Sequence, residues 1–379
     1  MNWSFSLGRV SNIDIRVHFT FFFILLLGAM QWGGSLGNGQ AALFGVLVTL
    51  LLFVCVLLHE LGHSLVAQRL GIPVKQILLM PLGGVALLGR NPDKPRHELV
   101  IAAAGPLVNV AIIAVLLVLM PLLGFDLPSL ADGRPAPGLN TLVWWMLIAN
   151  VSLVLFNLIP AFPLDGGRMF RALLAMRMGN ARATQIAARL GQVLAVGLGF
   201  VGLFTTNFLL ILIAAFVFFG ASAETGEARA REILSRVKAR DAANPYAVTL
   251  NVGDRLSQVM PLLIATRQPS FAVMFNGQVM GLVTEADLRR AAAAGTGDAY
   301  IAGIMQRDFL RVDAEQTLYE VRNILAEKNS PVAAVYDGEV YLGLVTLGGI
   351  HEILRLWLTS QPGQTGSSSQ PSGTVVGRA

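Results

Sequence analysis

The segment LLFVCVLLHELGHSLVAQRL, Leu51 to Leu70, places two histidines and a glutamate inside a run that otherwise reads as lipid-facing helix. An ionisable residue at membrane depth costs roughly 2.5–3.5 kcal/mol on insertion scales, so three within one turn call for a compensating role. Positions four apart share a helix face, so the imidazoles of His59 and His63 can grip one metal ion. Glu60, one step round the helix, can reach a water at that ion. The alternative is a helix end emerging into solvent, with all three groups simply hydrated.

The rest of the chain fits a membrane setting. Of 379 residues, 54% are hydrophobic and only 13% charged, against roughly a quarter charged in soluble domains. A net charge of +5 with no dense Lys/Arg block suits basic loops and argues against a nucleic-acid partner. The single cysteine, Cys55, excludes an internal disulfide and reads as a packing residue. The first apolar run has no small-residue cleavage site after it, so it reads as a span rather than a cleavable signal.

Apolar stretches at Val17–Trp32, Ala41–His63, Leu99–Leu123, Leu142–Phe162, Ile186–Leu203 and Phe208–Ala221 predict about six membrane-crossing helices. The first and last two are short. Ile186–Ala221 could be one long segment, but the polar break Leu203–Asn207 favours two. Arg69, Lys75, Arg90, Lys94 and Arg96 follow the second stretch, and Arg168, Arg171, Arg177 and Arg182 follow the fourth. The alternate loops carry one basic residue, Arg134. Basic loops favour the cytoplasm, so six crossings with both termini cytoplasmic satisfy every loop. The expected location is a plasma membrane, of a prokaryote.

Beyond Ala221 the composition changes. Residues 222–243 read as a charged, helix-prone linker, 244–300 and 301–360 as two repeats of a soluble α+β domain, and 361–379 as a disordered Ser/Gly/Pro-rich tail. PSFAVMFNGQVMGLVTEADL from Pro269 echoes PVAAVYDGEVYLGLVTLGGI from Pro331. Each repeat reads as a helix, a strand, a tight turn at Asn276-Gly277 or Asp337-Gly338, a second strand and a closing helix. The fold class is therefore a membrane α-helical bundle with a C-terminal α+β pair.

His59-Glu60-Leu61-Gly62-His63 is the H-E-x-x-H arrangement of zinc hydrolases. A catalytic zinc needs a third protein ligand. The stretch NLIPAFPLDGGR, Asn157–Arg168, offers Asp165, although a plain turn aspartate fits the same pattern. Pro160 and Pro163 before it and Gly166-Gly167 after it predict that the fourth crossing breaks near its cytoplasmic end. Broken backbone at membrane depth survives where it is buried in protein or lines a wet cavity.

H-E-x-x-H in an apolar helix together with N-x-x-P-x-x-P-L-D-G resembles the site-2 protease family of intramembrane zinc metalloproteases, over about Val10 to Ala221. The repeated segment resembles a CBS pair. The resemblance implies that His59, His63 and Asp165 bind zinc, that Glu60 activates water, and that Asn157 holds substrate or stabilises the oxyanion. For Asn157 an interhelical hydrogen bond is the plainer role. AAAGPLVN, Ala102–Asn109, is similar to the family's G-P-x-x-N element, read here as close helix packing. MPLGGVALL, Met80–Leu88, resembles a loop that dips into the membrane and pairs with unwound substrate; a simple hairpin fits as well.

In the CBS pair, Gly281-Leu282-Val283-Thr284-Glu285-Ala286-Asp287 matches the element that binds adenine nucleotides, with Thr284 toward phosphate and Asp287 toward ribose. Gly349 replaces that aspartate in the second repeat. The resemblance implies an enzyme, a peptide hydrolase that cuts single-span membrane proteins in the lipid bilayer. A cytoplasmic CBS pair would regulate it and could form a homodimer. A CBS-regulated transporter and a catalytically silent scaffold of the same fold stay open on sequence alone. His18, His97 and His351 are poor ligand candidates.

Overall fold

Ser4–Val10 (β1) and Ile13–His18 (β2) form an antiparallel hairpin ahead of the first helix. Ile13, Ile15 and Val17 are buried on alternate positions, while Asp14, Arg16 and His18 are more accessible, the period-two pattern of a half-buried strand. Ser11 and Asn12 at the turn both take positive φ, 50° and 62°, as a two-residue hairpin turn demands. The expected first span therefore begins later than Val17, because Val17 and His18 belong to the strand.

The computed structural model describes residues 3–36, 39–81, 83–89, 92, 94–125, 136–294 and 298–360. The tail 361–379 lies outside the described residues, as does part of the expected loop 124–140, including Arg134. The chain divides into two compact units, Met1–Ala228 and Arg229–Ala379.

In the first unit, Phe21–Leu36 (α1) leads to Gly39–Arg69 (α2), then to Val74–Met80 (β3) and Gly83–Leu88 (β4). β3 pairs parallel with β2 and antiparallel with β4, which makes a sheet of order β1-β2-β3-β4 with β1 and β4 at its edges. Ile13, Val17, Ile77 and Leu79 pack from this sheet onto Phe21, Phe53 and Ile101. The stretch Met80–Leu88 is thus largely a β-hairpin arm. The helices Pro95–Leu122 (α3), Leu139–Asn157 (α4), Asp165–Met178 (α5), Asn180–Phe204 (α6) and Phe208–Leu234 (α7) come next.

Among the described residues, five helices are long and apolar enough to cross a membrane: α2, α3, α4, α6 and α7. α1 is also apolar, with 16 residues, close to the lower limit of a span. Large apolar side chains such as Leu43, Leu47, Val54 and Leu58 face outward from α2, where lipid would replace water as their neighbour. α6 and α7 exceed the short apolar runs expected for them because polar residues at Asn180–Gln185 and Glu224–Leu234 continue the helices. The break between them falls where the polar residues predict. Thr206 takes φ 51°, and Asn207 Oδ1 accepts the amides of Leu209 and Leu210 to cap α7.

α4 ends at Asn157, and the backbone runs irregularly through Leu158–Leu164 before α5 begins at Asp165. The break occurs where expected, but it leads into a helix rather than a loop. Gly179, at φ 82°, ends α5.

In the second unit the charged end of α7 leads through Ala239–Ala242 (α8) into the first repeat. That repeat contains Leu250–Asn251 (β5), Leu256–Thr266 (α9), Ser270–Phe275 (β6), Gln278–Thr284 (β7) and Glu285–Ala293 (α10). After Ile301–Ile304 (α11) the second repeat runs through Arg311–Asp313 (β8), Leu318–Glu327 (α12), Val332–Asp337 (β9), Val340–Thr346 (β10) and Leu347–Ser360 (α13). The sheet orders β5-β6-β7 and β10-β9-β8 match between the repeats. Phe271 and Val273 point into one core, while Ala272 meets Val332, Ala334 and Leu344 of the other repeat. Asn276 and Gly277 both take positive φ, whereas at the second turn Gly338 does so and Asp337 stays in strand β9.

Candidate metal centre

The buried residues of α2 form one stripe: Ala41, Gly45, Thr49, Phe53, Cys55, His59, His63, Ser64 and Ala67. Both histidines therefore turn inward without departing from helical geometry. The close approach of α3 defines the space in front of them. A methyl built on Gly105 would overlap the His63 imidazole and stand 2.7 Å from His59 Nε2. Any side chain at position 105 would therefore intrude on the two imidazoles.

Asp165 arrives from the other direction, as the first residue of α5. The short break that aims it is packed backbone to backbone. A methyl on Gly167 would stand 2.5 Å from the carbonyl carbon of Ala161, and one on Gly166 would overlap the Leu158 and Ile159 carbonyls. Arg171, one and a half turns further on, donates to Glu98 of α3 through Nε and Nη2, and from Nη1 to Glu224 of α7 at 2.7 Å. Its guanidinium also lies over the Phe162 ring, 5.2 Å from the centroid. One cation thus ties the Asp165 helix to two neighbouring helices.

The three ligand atoms converge. Asp165 Oδ2 is 3.1 Å from His59 Nε2 and 3.2 Å from His63 Nε2, and the two nitrogens are 3.1 Å apart. All three residues are buried. Ligands about 2.0–2.1 Å from a tetrahedral zinc lie about 3.3 Å from one another, so this spacing suits that ion. The chemistry agrees. His63 Nδ1 lies 2.6 Å from the Ile101 carbonyl oxygen, which can only accept, so Nδ1 carries the proton and Nε2 presents a bare lone pair. His59 Nδ1 lies 2.5 Å from Asn109 Oδ1. Such partners on the far ring nitrogen are the usual support of metal-binding imidazoles.

Glu60 is half-buried on the next face of α2, and its carboxylate interacts electrostatically with His59, His63, Asp165 and Arg168. It lies against the backbone of β4: a methyl on Gly84 would overlap Glu60 Cγ and stand 3.0 Å from Cδ. Asn157 closes α4 and is half-buried; its side chain makes no hydrogen bond with the described residues. Asn109 and Asn150, which no zinc motif singles out, are both fully buried beside the cluster and bonded to each other. The signal for Asn109 was the G-P-x-x-N element, read only as packing.

In the CBS pair, Thr284 and Asp287 are buried and bonded to each other. Asp287 Oδ2 accepts from Thr284 N, Thr284 Oγ1 and Gln306 Nε2 at 3.0, 2.6 and 2.8 Å, and Oδ1 accepts from Arg290 Nη1 at 3.2 Å. This is a helix-capping box at the start of α10. A cavity of about 210 Å³ opens at the equivalent place in the second repeat, lined among others by Asn244, Gln268, Ser270, Thr346 and Gly349. The glycine that replaces the aspartate leaves that space.

Known proteins give the same reading of both halves. The chain matches Peptidase family M50 over residues 47–129 and 133–198, and the CBS domain over 239–294 and 301–355. A zinc metalloprotease of Methanocaldococcus jannaschii is 35% identical over 285 residues, 75% of this chain and 78% of that protein. The Mycobacterium tuberculosis protein Rip3, whose name assigns it provisionally as a zinc metalloprotease, is 30% identical over 390 aligned positions, 96% of each chain. A solved site-2 protease of Methanocaldococcus jannaschii is 40% identical, covers 59% of this chain and 95% of its own, and superposes with a TM-score of 0.45. By the length and identity of these matches, the chain belongs to peptidase family M50, the site-2 protease family of zinc metalloproteases, in a form that carries a C-terminal pair of CBS domains.

Proposed function

We propose that this protein is an intramembrane zinc endopeptidase that hydrolyses peptide bonds in or near the transmembrane segments of single-span membrane proteins. The observation that carries the reading is the convergence of His59 Nε2, His63 Nε2 and Asp165 Oδ2 within 3.2 Å of one another, next to Glu60. Held by these three residues, zinc would act as a Lewis acid toward a peptide carbonyl and bring the pKa of water toward about 7. Glu60 would take the proton of the attacking water and return it to the departing amine. Asn157, half-buried and with no side-chain hydrogen bond among the described residues, would hold the substrate or the developing oxyanion.

A helical substrate must unwind before its carbonyl is open to attack, and its freed backbone groups then need partners. The outer edge of β4, which runs past Glu60 at Gly84, offers them in the manner of an added strand. The basic residues flanking the spans favour both termini in the cytoplasm, and a prokaryotic plasma membrane is part of the proposal. Regulation by an adenine nucleotide at the CBS pair, and dimerisation through it, are proposed from the module and from the cavity beside Thr346. Family membership removes the support for a transporter.

The test is cleavage of co-expressed single-span proteins by the chain and by Glu60→Gln. The expected result is a zinc-loaded variant without detectable product. Undiminished cleavage by that variant would reject the assignment.

A further inference from the structure

Asn109 of α3 and Asn150 of α4 are both 0% exposed within apolar helices. Two buried amides cost free energy unless their donors and acceptors are met. They are met by a chain that runs in one direction. The Met146 carbonyl oxygen can only accept, so the Asn150 amide nitrogen faces it, at 2.8 Å, and gives its other hydrogen to Cys55 Sγ at 3.3 Å. Asn150 Oδ1 therefore faces Asn109 and accepts from its Nδ2 at 2.8 Å. Asn109 must then present Oδ1 to His59, and the 2.5 Å contact at Nδ1 is His59 donating. His59 Nε2 is left without a proton, 3.1 Å from both His63 Nε2 and Asp165 Oδ2.

We propose that Asn150 is a positioning residue for the metal centre: acting through Asn109, it fixes the His59 tautomer in which Nε2 is a lone-pair donor. Among the described residues, the hydrogen-bond path from Asn150 to His59 runs through Asn109. Without the Asn150 oxygen, the Asn109 amide is free to turn over and offer Nδ2 to the imidazole. His59 Nδ1 then becomes the acceptor, and the proton moves to the nitrogen that should hold metal. Cys55, one turn before His59 on the same face of α2, belongs to this relay as a weak acceptor. The proposal rests on the zinc reading, but its first readout does not need zinc.

The experiment uses the full-length protein in detergent, freed of metal and labelled with ¹⁵N-histidine. The five histidines give a spectrum in which His59 is assigned by its loss in His59→Ala. Wild type is expected to hold the proton on Nδ1. Asn150→Leu is expected to shift it toward Nε2, and in chelator competition to weaken zinc binding about tenfold or more. Asn150→Asp keeps an oxygen for Asn109 Nδ2 and is expected to restore both readouts. Asn109→Asp has only acceptors to offer His59, so adding Asn150→Leu to it should cause no further loss; this pair serves if Asn150→Leu alone fails to fold.

Wild-type tautomer and zinc affinity in Asn150→Leu would overturn the proposal. So would an Asn150→Asp variant as defective as Asn150→Leu, or additive losses in the double variant. If the wild type holds the Nδ1 proton and the variant loses it while neither binds zinc, the relay stands and the metal reading falls.

Discussion

Asp165 Oδ2 lies 3.1 Å from His59 Nε2, although 106 positions separate the two residues in the chain. The contact joins the N-terminus of α5 to the middle of a span-length helix, and the break after Asn157 makes it possible. Two lone-pair nitrogens and a carboxylate oxygen this close repel one another unless a cation sits among them. A metal ion held among the three would remove that repulsion, as would a proton shared between an imidazole and the carboxylate, and the grouping is that of a possible metal site.

Gly105 sets the clearance at that contact. Gly105→Ala places a methyl in the His63 ring and 2.7 Å from His59 Nε2. The expected outcome is at least a tenfold loss of zinc affinity, with about 1–3 kcal/mol of overpacking destabilisation. Chelator competition and thermal unfolding check the two parts separately.

Gly84→Ala acts on the neighbouring function. Its methyl displaces Glu60 and reaches no metal ligand among its nearest contacts. The variant should keep its zinc and lose about tenfold or more in cleavage rate, since general-base work contributes about 10²–10⁴-fold and depends on position. Equal loss of zinc and cleavage would show that Glu60 is not the group displaced.

Arg171 tests how the Asp165 helix is held. Arg171→Met leaves Glu98, 9% exposed, without its cation, and breaking one side of a buried pair costs about 3–5 kcal/mol. Because the Arg171 side chain retains 20% exposure, the lower end is expected. Adding Glu98→Gln should recover most of the loss by chemical unfolding in detergent. No recovery would mean that packing over Phe162, rather than the ion pair, carries the effect.

The CBS repeats make a separable prediction. Asp287→Ala removes the N3 half of the capping box of α10 and leaves Gln306 and Thr284 without their acceptor, while the Thr284 cap itself stays. It should lower the stability of that unit by about 1–2 kcal/mol. If an adenine nucleotide binds in the cavity beside Thr346, Asp287→Ala should leave its affinity within about threefold, whereas Gly349→Leu should abolish it. Titration of a fluorescent ATP analogue separates these outcomes.

Locality decides how much of the molecule was legible in the sequence. His59, Glu60 and His63 were readable because four residues make a helical turn. Asp165 stood out at a break that two prolines before it and two glycines after it predict, but its assignment beside the histidines was carried by the resemblance, since a plain turn aspartate fits the same pattern. The sixty-residue echo between Pro269 and Pro331 revealed both CBS repeats and their turns. The sheet was missed for physical reasons. Ile13, Ile15 and Val17 alternate as a strand should, but β2 pairs in parallel with β3 some sixty residues away, and its last residues merge into the apolar run of α1. α5 was missed because a helix held by an arginine among carboxylates has no span hydropathy. Asn150 carries no motif; its role depends on which way a neighbouring amide faces.

Metal content is the most direct test of the central claim. Purified full-length protein is expected to hold about one zinc per chain, with X-ray absorption fitting two imidazole nitrogens and carboxylate oxygen at the metal. Asp165→Ala, His59→Ala and His63→Ala should each lose that ion, and Glu60→Gln should retain it. A full complement of zinc in Asp165→Ala, with an unchanged absorption spectrum, would contradict the account.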